Sequence, residues 1–494
     1  MSNQYILAID QGTSSTKTLL FDGEGRVAAR ASVPLKTFYL DHGFVEQDPE
    51  ELWQNVQDSV DGCLNDFVNR GGDLYEIRAC GISNQRETFV VWDKEGQPLH
   101  RAVVWQCKRS VTICERWKQE GLQPLIQAKT GLLIDPYFSG SKMVWLRQEV
   151  EAVARALADG HAYFGTIDTW LLYKLSKGES YLTDYTNASR TLFFNLQELC
   201  WDRELLHLFG LSRLQLPQLQ PSSSHFGYTN LSGALSFFIP ITGMTGDSHA
   251  AAFGEACFAP GTAKATLGTG CSILMNTGKV KPSGSGMVST ICWSTQQRVE
   301  YAQEGVIVSC GATIEWLKNE LHLFSDYRET EQMALSVAGN GGVYLVPAFS
   351  GLGAPHWDMN RRASITGLTF GCNKHHIVRA ALESIAYQIK DVIEAMQMNT
   401  GIQLEELMVN GGITSNQFVL QFLADLLEKP VILRNMPDIS ALGAAWLAGL
   451  QAGVFTGLDH LRQLGGQKSV VHPRSNPEMK DYYEGWKKAV GQRG

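Results

Sequence analysis

The stretch YILAIDQGTSSTKTLLF, residues 5–21, decides how this chain is read. Tyr5 to Ile9 is a short apolar run, Gly12-Thr13-Ser14-Ser15 interrupts it, and Thr18 to Phe21 resumes it before the Asp22-Gly23 turn. Two apolar runs around a glycine-hydroxyl tip predict a β-hairpin. The plan returns near mid-chain, where Ala263 to Leu267 leads into Gly268-Thr269-Gly270 and resumes as Ser272 to Met275 before Asn276-Thr277-Gly278. The recurrence reads either as two lobes that each open with a strand-turn-strand, or as coincidence between two ordinary hairpins.

Helical patterns lie between and after the hairpins. Asp48-Pro49 offers an N-cap with proline at the first helical position, and Leu52, Val56, Val60, Leu64 and Phe67 then make one apolar face until Gly71-Gly72. His376 to Met398 repeats the periodicity and stops at Asn399-Thr400-Gly401. Ser415 is placed to cap a helix carrying Phe418, Phe422 and Leu426, which Pro430 ends before the strand Val431 to Leu433. Strands alternating with helices predict an α/β architecture.

With 494 residues, 44% of them apolar, the chain can bury more than one core. A net charge of −8 and the lack of a long Lys/Arg run argue against nucleic-acid binding. The ten cysteines never form a C-x-x-C pair and sit in apolar segments, so they read as reduced core residues. Five apolar residues before Asp10 are too few for a signal peptide, and Ser440 to Val454 is shorter than the ~20 residues of a membrane span. A cytoplasmic protein without membrane insertion is expected.

No G-x-x-x-x-G-K-[ST] is present, and Gly351-Leu-Gly353-Ala-Pro-His356 fails as a dinucleotide fingerprint. The hairpin tips remain as phosphate sites: Asp10-Gln11-Gly12-Thr13-Ser14-Ser15 with Lys17, and Gly268-Thr269-Gly270. Glycine lets backbone approach phosphate oxygens, hydroxyls and N–H groups donate to them, and Asp10 at a strand end suits Mg²⁺ held through water. Asn410-Gly411-Gly412 is a third glycine loop at a helix start. Each of these also reads as a plain turn or connection. Asp247, between the glycines of Gly243-Met-Thr-Gly246 and a helix at Ala250 to Phe253, is a candidate general base for an alcohol, or equally a helix N-cap. Arg86-Glu87 at the end of the strand Cys80 to Ser83 offers a donor beside an acceptor for hydroxyls, and Trp105 and Tyr137 offer an apolar wall. Their bland readings are a surface ion pair and core filling.

Taken together, DQGTSS, NQRET, VVWQC, DPYFSGSKMVWL, TDYTNASRT, LGTGCSILMNTG, VPAFSGLGAPHWD and ALGAAWLAGL resemble the FGGY family of carbohydrate kinases over nearly the whole chain, most strongly the members that act on glycerol. The resemblance implies two actin-like, RNase H-type lobes closing on ATP-Mg²⁺ and a small polyol: residues 1–252 holding the polyol and first phosphate hairpin, and 253–494 holding the nucleotide. Arg86, Glu87, Trp105, Tyr137 and Asp247 become substrate residues, with Asp247 the base. Thr13, Ser14, Ser15, Lys17, Thr269, Gly311, Gly412 and Asn416 are placed around the nucleotide. Self-association is a further family expectation.

Four positions depart from the glycerol-specific pattern. Ser248 stands where a glutamine usually follows the catalytic aspartate, Ser272 where a phenylalanine packs on the substrate carbons, Glu315 for a glutamine near the nucleotide, and Asn410 for the aspartate of D-G-G. Losing the aromatic wall removes about 1.5–3 kcal/mol of apolar burial and widens the pocket. Glycerol is the leading acceptor, with a four- or five-carbon polyol or ketose as the alternative. Two other outcomes are an actin-like ATPase driving assembly, which the lobes alone permit, and a degenerate kinase that binds without turnover.

Overall fold

The computed structural model describes residues 4–280, 286–434, 436–464 and 468–492. The opening hairpin forms as its pattern dictates: β1 (Tyr5–Gln11) pairs antiparallel with β2 (Ser15–Phe21), and β2 with β3 (Val27–Pro34). β1 also pairs parallel with β4 (Ile77–Asn84), and β4 with β5 (Ile239–Gly246), giving the order β3-β2-β1-β4-β5. The second hairpin starts the same sequence of pairings. There β6 (Thr262–Leu267), β7 (Cys271–Gly278) and β8 (Arg298–Ile307) are antiparallel, while β9 (Glu406–Asn410) and β10 (Val431–Arg434) continue in parallel from β6. The order β8-β7-β6-β9-β10 repeats the first core, so the two hairpins are the openings of two lobes of one topology, the actin-like plan. Strands Ser223–Thr229 and Val288–Thr295 meet at Ser223 and Thr295 and join both cores into a thirteen-stranded sheet.

Covered on both faces, the inner strands are buried runs rather than alternating ones. Helix α1 (Pro49–Asn69) begins where Asp48 accepts the Glu50 N–H, and it lays Leu52, Val56, Val60, Leu64 and Phe67 against Leu7 and Ile9 of β1. β5 runs straight into α2 (Asp247–Gly254). The expected long helix is α3 (Lys374–Thr400), two residues longer at each end and closed by Gly401 in the left-handed conformation. Helix α4 (Gln417–Leu427) is capped by Asn416, whose side chain accepts from the Val419 N–H. Ser415 does not cap it because its hydroxyl is already used on the Gly412 carbonyl inside a 3-10 turn. β10 is followed by α5 (Ile439–Gln451).

Helices α2 and α5 each follow the fifth strand of a core, and they cross between the two lobes with their backbones in contact. A Cβ on Gly443 of α5 would overlap the Ala250 carbonyl, and one on Gly254 of α2 would lie 2.6 Å from the Ile439 carbonyl. Around this crossing Ala252, Phe253, Leu442, Ala445 and Trp446 form a core with Ile6 from β1 and Leu274 from β7. Eight of the ten cysteines are buried and all are free. Among the described residues, no helix is long and apolar enough to cross a membrane.

Gly443→Val forces the helices apart and is expected to lower stability by about 2–3 kcal/mol in urea unfolding. Gly491→Ala, at a helix end where a Cβ meets nothing within 4 Å, is expected to leave the midpoint unchanged or slightly raised.

Candidate active site

The carboxyl ends of three parallel strands converge. β1 ends beside Asp10, β4 ends just before Arg86 and Glu87, and β5 ends just before Asp247; the register pairs Asp10 with Ser83 and Gly246 with Asn84. Asp247 is therefore the first residue of α2, and Gly246 takes the N-cap position. Glycine is needed there because a Cβ would lie 2.6 Å from Arg86 Cγ. The Asp247 carboxylate accepts the Ser248 N–H at 2.6 Å and faces Arg86 Nε at 3.5 Å. Burial raises its pKa above the usual aspartate value, with Arg86 opposing the shift.

Beside Asp247 lies a chain of buried charges. Arg86 donates to Glu304 Oε1 at 2.8 Å, Arg190 reaches Glu304 Oε2 at 2.8 Å, and Arg190 Nε donates to Glu87 Oε1 at 2.6 Å. Burial alone would raise the Glu304 pKa, but Arg190 and Arg86 outweigh it and hold the carboxyl far below its ordinary range. Glu87 is raised by burial, with Arg190 and Arg86 only partly offsetting it. It also holds a left-handed backbone, φ +60°, which bulky residues adopt at a cost of roughly 1–3 kcal/mol. Ser139 fixes this turn by donating to the Glu87 carbonyl at 2.8 Å.

The two aromatic candidates stand together. Trp105 and Tyr137 meet edge to face at 5.5 Å, and the indole N–H donates to the Thr13 hydroxyl at 3.0 Å, linking the aromatic pair to the tip of the first hairpin. Lys142, fully buried and pushed down to about 8 by that burial, donates to the carbonyls of Val104, Trp105 and Tyr137 and so holds both aromatic backbones. Lys17 does not project freely from its hairpin: its ammonium bonds Asp438 Oδ1 at 2.8 Å, just before α5. Ser14 is exposed at the tip, and the turn closes through Gly12 N–H to the Ser15 carbonyl at 3.0 Å.

Two cavities open in the cleft. One, about 680 Å³, is lined by Arg86, Asp247, Ser248 and Ser272 together with Lys264 and Asn410. The other, about 400 Å³, is lined by Thr269, Gly311, Glu315, Gly412 and Asn416. They share a boundary, since Gly411 lines the first and Gly412 the second. Gly411, at φ +100°, is compelled to be glycine because a Cβ would collide with the Leu267 carbonyl. The nucleotide candidates of the second lobe thus line one cavity, and Arg86, Asp247, Ser248 and Ser272 line the other, whereas Glu87, Trp105 and Tyr137 are not among the residues that line it.

Sequence reasoning missed Arg190, Glu304, Lys142 and Lys264, and Tyr327 and Thr330 at the second cavity. Glu304 carried a signal, since it is an acid in the middle of a buried strand where a charge needs a partner. Arg190→Met is expected to cost roughly 3–5 kcal/mol in urea unfolding, because Glu87 and Glu304 lose a shared buried cation. A double-mutant cycle with Glu304→Gln is expected to show strong non-additivity.

Residues 5–254 match the N-terminal domain, and residues 263–452 the C-terminal domain, of the FGGY family of carbohydrate kinases. The chain is 45% identical over 490 residues to the glycerol kinase of Thermoanaerobacter sp. (strain X514), spanning 99% of this chain and 98% of that one. It is 46% identical over 489 residues to glycerol kinase 1 of Thermotoga maritima, spanning 98% and 99%. The crystal structure of Plasmodium falciparum glycerol kinase with ADP superposes at a TM-score of 0.93 with 34% identity, covering 99% of this chain and 98% of that one. The repeated lobe topology, the Asp247 cleft and these full-length matches agree: the chain belongs to the FGGY family of carbohydrate kinases.

Proposed function

We propose that this protein transfers the γ-phosphoryl group of ATP to a primary hydroxyl of a small polyol, with glycerol as the leading acceptor and glycerol 3-phosphate as its product. The observation that carries the reading is Asp247, set against Arg86 in a cavity that adjoins the glycine-lined cavity of the second lobe. The relatives named glycerol kinase support the acceptor. An assembly ATPase has no use for the buried Arg86–Glu304–Arg190–Glu87 network, which supports the kinase over that alternative.

In this mechanism Thr269, Gly311, Gly412 and Asn416, with Glu315 at the rim, hold the nucleotide, and the backbone and hydroxyls of Thr13, Ser14 and Ser15 receive its phosphates. Lys17 acts on the same hairpin through Asp438. Arg86 and Glu87 bond the acceptor hydroxyls against Trp105 and Tyr137, with Ser248 and Ser272 lining the cavity beside Arg86. Asp247 takes the proton as the acceptor oxygen bonds to the γ-phosphorus and the bond to the leaving ADP oxygen breaks, an in-line displacement that depends on positioning and charge stabilisation. The lobes divide near residue 252, and the reaction runs in the cytoplasm.

Asp10 fits a role beside Mg²⁺: its carboxyl faces the Asp247 charge, and burial raises its pKa to about 6, a strain that a nearby cation relieves. Among the described residues no cluster of three or more His, Cys, Asp or Glu is set to hold a metal by itself. Asp10 would hold Mg²⁺ through water, and the ion would supply positive charge to the nucleotide phosphates.

Asp247→Asn is expected to lower kcat by roughly 10²–10⁴ in a coupled ADP-release assay and to disturb acceptor KM less. Near-normal turnover removes Asp247 from its role. Because a proton and Mg²⁺ compete for Asp10, the Mg²⁺ concentration giving half-maximal rate should be higher at about pH 5.5 than at about pH 7.5. Asp10→Asn should abolish this difference; a difference that persists assigns the titration elsewhere.

A further inference from the structure

We propose that Thr186 is a positioning residue for the transfer, its hydroxyl fixing the backbone turn from which Asp247 presents its carboxylate. The proposal rests on the kinase reading above and concerns a segment to which that reading gives no part, Thr183-Asp184-Tyr185-Thr186-Asn187-Ala188-Ser189. Strand β5 pairs with Ser223–Thr229 only as far as Gly243, and the Met244 N–H still finds the Ser222 carbonyl at 2.9 Å. Alternate amides of a strand point to the same side, so the Gly246 N–H faces the side on which the neighbouring strand no longer supplies a carbonyl. It donates instead to Thr186 Oγ1 at 2.9 Å. A buried amide needs an acceptor, and here a side-chain hydroxyl provides the one the sheet lacks.

Thr186 is fully buried, and Asp184 orients it. The hydroxyl proton goes to the Asp184 carboxylate, 2.7 Å from Oδ2 and 2.9 Å from Oδ1, which leaves a lone pair for the Gly246 N–H. Asp184 is itself fixed, because it accepts the Thr186 and Asn187 N–H groups at 2.9 Å each and the Ser222 hydroxyl at 2.7 Å. The same turn braces the other elements of the site. Asn187 and Asn84 exchange amide hydrogen bonds at 2.9 and 3.0 Å, tying the turn to the end of β4 two residues before Arg86. Ser189 Oγ lies 2.9 Å from Thr290 Oγ1, which lies 3.4 Å from His249 Nε2 on α2.

Among these contacts, the one at Gly246 bears on the base. Gly246 is the N-cap of α2 and is joined directly to Asp247. Glycine is the residue whose backbone turns most freely, so its amide bond is what restrains it. The Asp247 carboxylate is oriented only by the Ser248 N–H at 2.6 Å and Arg86 at 3.5 Å, and a rotation at Gly246 moves all of α2's first turn with it. A base has to lie within hydrogen-bond reach of the proton it takes, and a misplacement of about 1 Å can cost roughly 10²-fold in rate. Thr186 lines neither cavity, so it acts through Asp247, on turnover rather than on binding.

The test is steady-state ADP release by the purified protein with ATP and Mg²⁺ on glycerol, erythritol and xylulose, the fastest acceptor then being used for Thr186→Val, Thr186→Ala, Thr186→Ser and Ser222→Ala, with thermal melting of each. Ser222→Ala takes one bond from Asp184 and none from Gly246, so it measures the effect of loosening the turn alone. Thr186→Val and Thr186→Ala are expected to lower kcat by about 10- to 100-fold, with KM for acceptor and ATP within about threefold of wild type. Thr186→Ser and Ser222→Ala should keep kcat within about threefold, although Ser222→Ala melts at a lower temperature. Wild-type kcat in a folded variant without the hydroxyl overturns the inference, as does an equal loss in Ser222→Ala or in Thr186→Ser, and each leaves the kinase in place. Failure of both hydroxyl-free variants to fold assigns Thr186 to structure alone and overturns it too. The absence of acceptor-dependent ADP formation by the wild type with every compound overturns the kinase reading and this inference together.

Discussion

Glu304 is a carboxylate enclosed between two guanidiniums, and the geometry of Arg86, Glu87 and Asp247 depends on it. Moving each of these ions out of water costs several kcal/mol, which short contacts to opposite charges offset. The contacts Arg86–Glu304–Arg190–Glu87 form a chain of this kind, with distances of 2.8, 2.8 and 2.6 Å. Glu304 belongs to the second lobe and its partners to the first, so the network ties the lobes at the base of the cleft. It also fixes how Arg86 presents its remaining nitrogen, keeps Glu87 in its left-handed turn, and leaves Asp247 only the longer ion pair at 3.5 Å. A base held weakly by its nearest cation keeps a raised pKa and greater power to accept a proton, so network rigidity and base strength have one origin.

The α2–α5 crossing has the same purpose at the level of backbone. Because Gly443 meets the Ala250 carbonyl without a side chain between them, the helix that starts at Asp247 is pinned against the helix that follows the fifth strand of the other lobe. A displacement of α5 is therefore felt at the start of α2, where Asp247 stands, through a stiff contact.

The architecture was legible in the sequence because its signals are local. A hairpin tip, a proline after an N-cap and an i, i+4 stripe each act within a few residues, and both hairpins, α1 and α3 formed nearly where those patterns put them. What stayed hidden is non-local. Gly443 sits in an alanine-rich run that reads as any buried helix, and nothing within that run reveals the Ala250 carbonyl that makes glycine obligatory. Arg86 meets Glu304 across 218 positions of sequence, so a surface pair and a buried network look alike until the chain is folded. The cap at Asn416 was a competition between neighbours, settled by Ser415 turning its hydroxyl inward. Arg86, Glu87, Asp247 and the Gly411-Gly412 loop were candidates from their own chemistry, whereas Gly311, Glu315, Asn416, Ser248 and Ser272 came through the resemblance; folding brings Arg86, Asp247, Ser248 and Ser272 to one cavity and Thr269, Gly311, Glu315, Gly412 and Asn416 to the other.

Lys17 shows how location changes meaning. On the sequence it stands two residues beyond the hydroxyls of a phosphate tip and reads as a ligand for phosphate; in the fold it bonds Asp438, with Arg30 at 3.8 Å from the same carboxylate. Arg86 is likewise committed to Glu304 and Asp247. Lys17 and Arg86 thus arrive already paired with carboxylates, while Lys264 bonds the hydroxyls of Ser248 and Thr266. In the proposed mechanism the hairpin tips supply attraction for the phosphates through backbone N–H groups and hydroxyls. Those donors are fixed in direction by tight turns, lose little entropy on binding, and favour a phosphoryl group in one orientation over others. Selection by direction rather than by net charge is what an in-line transfer requires, because a strong diffuse field would hold the nucleotide equally well in poses that cannot react.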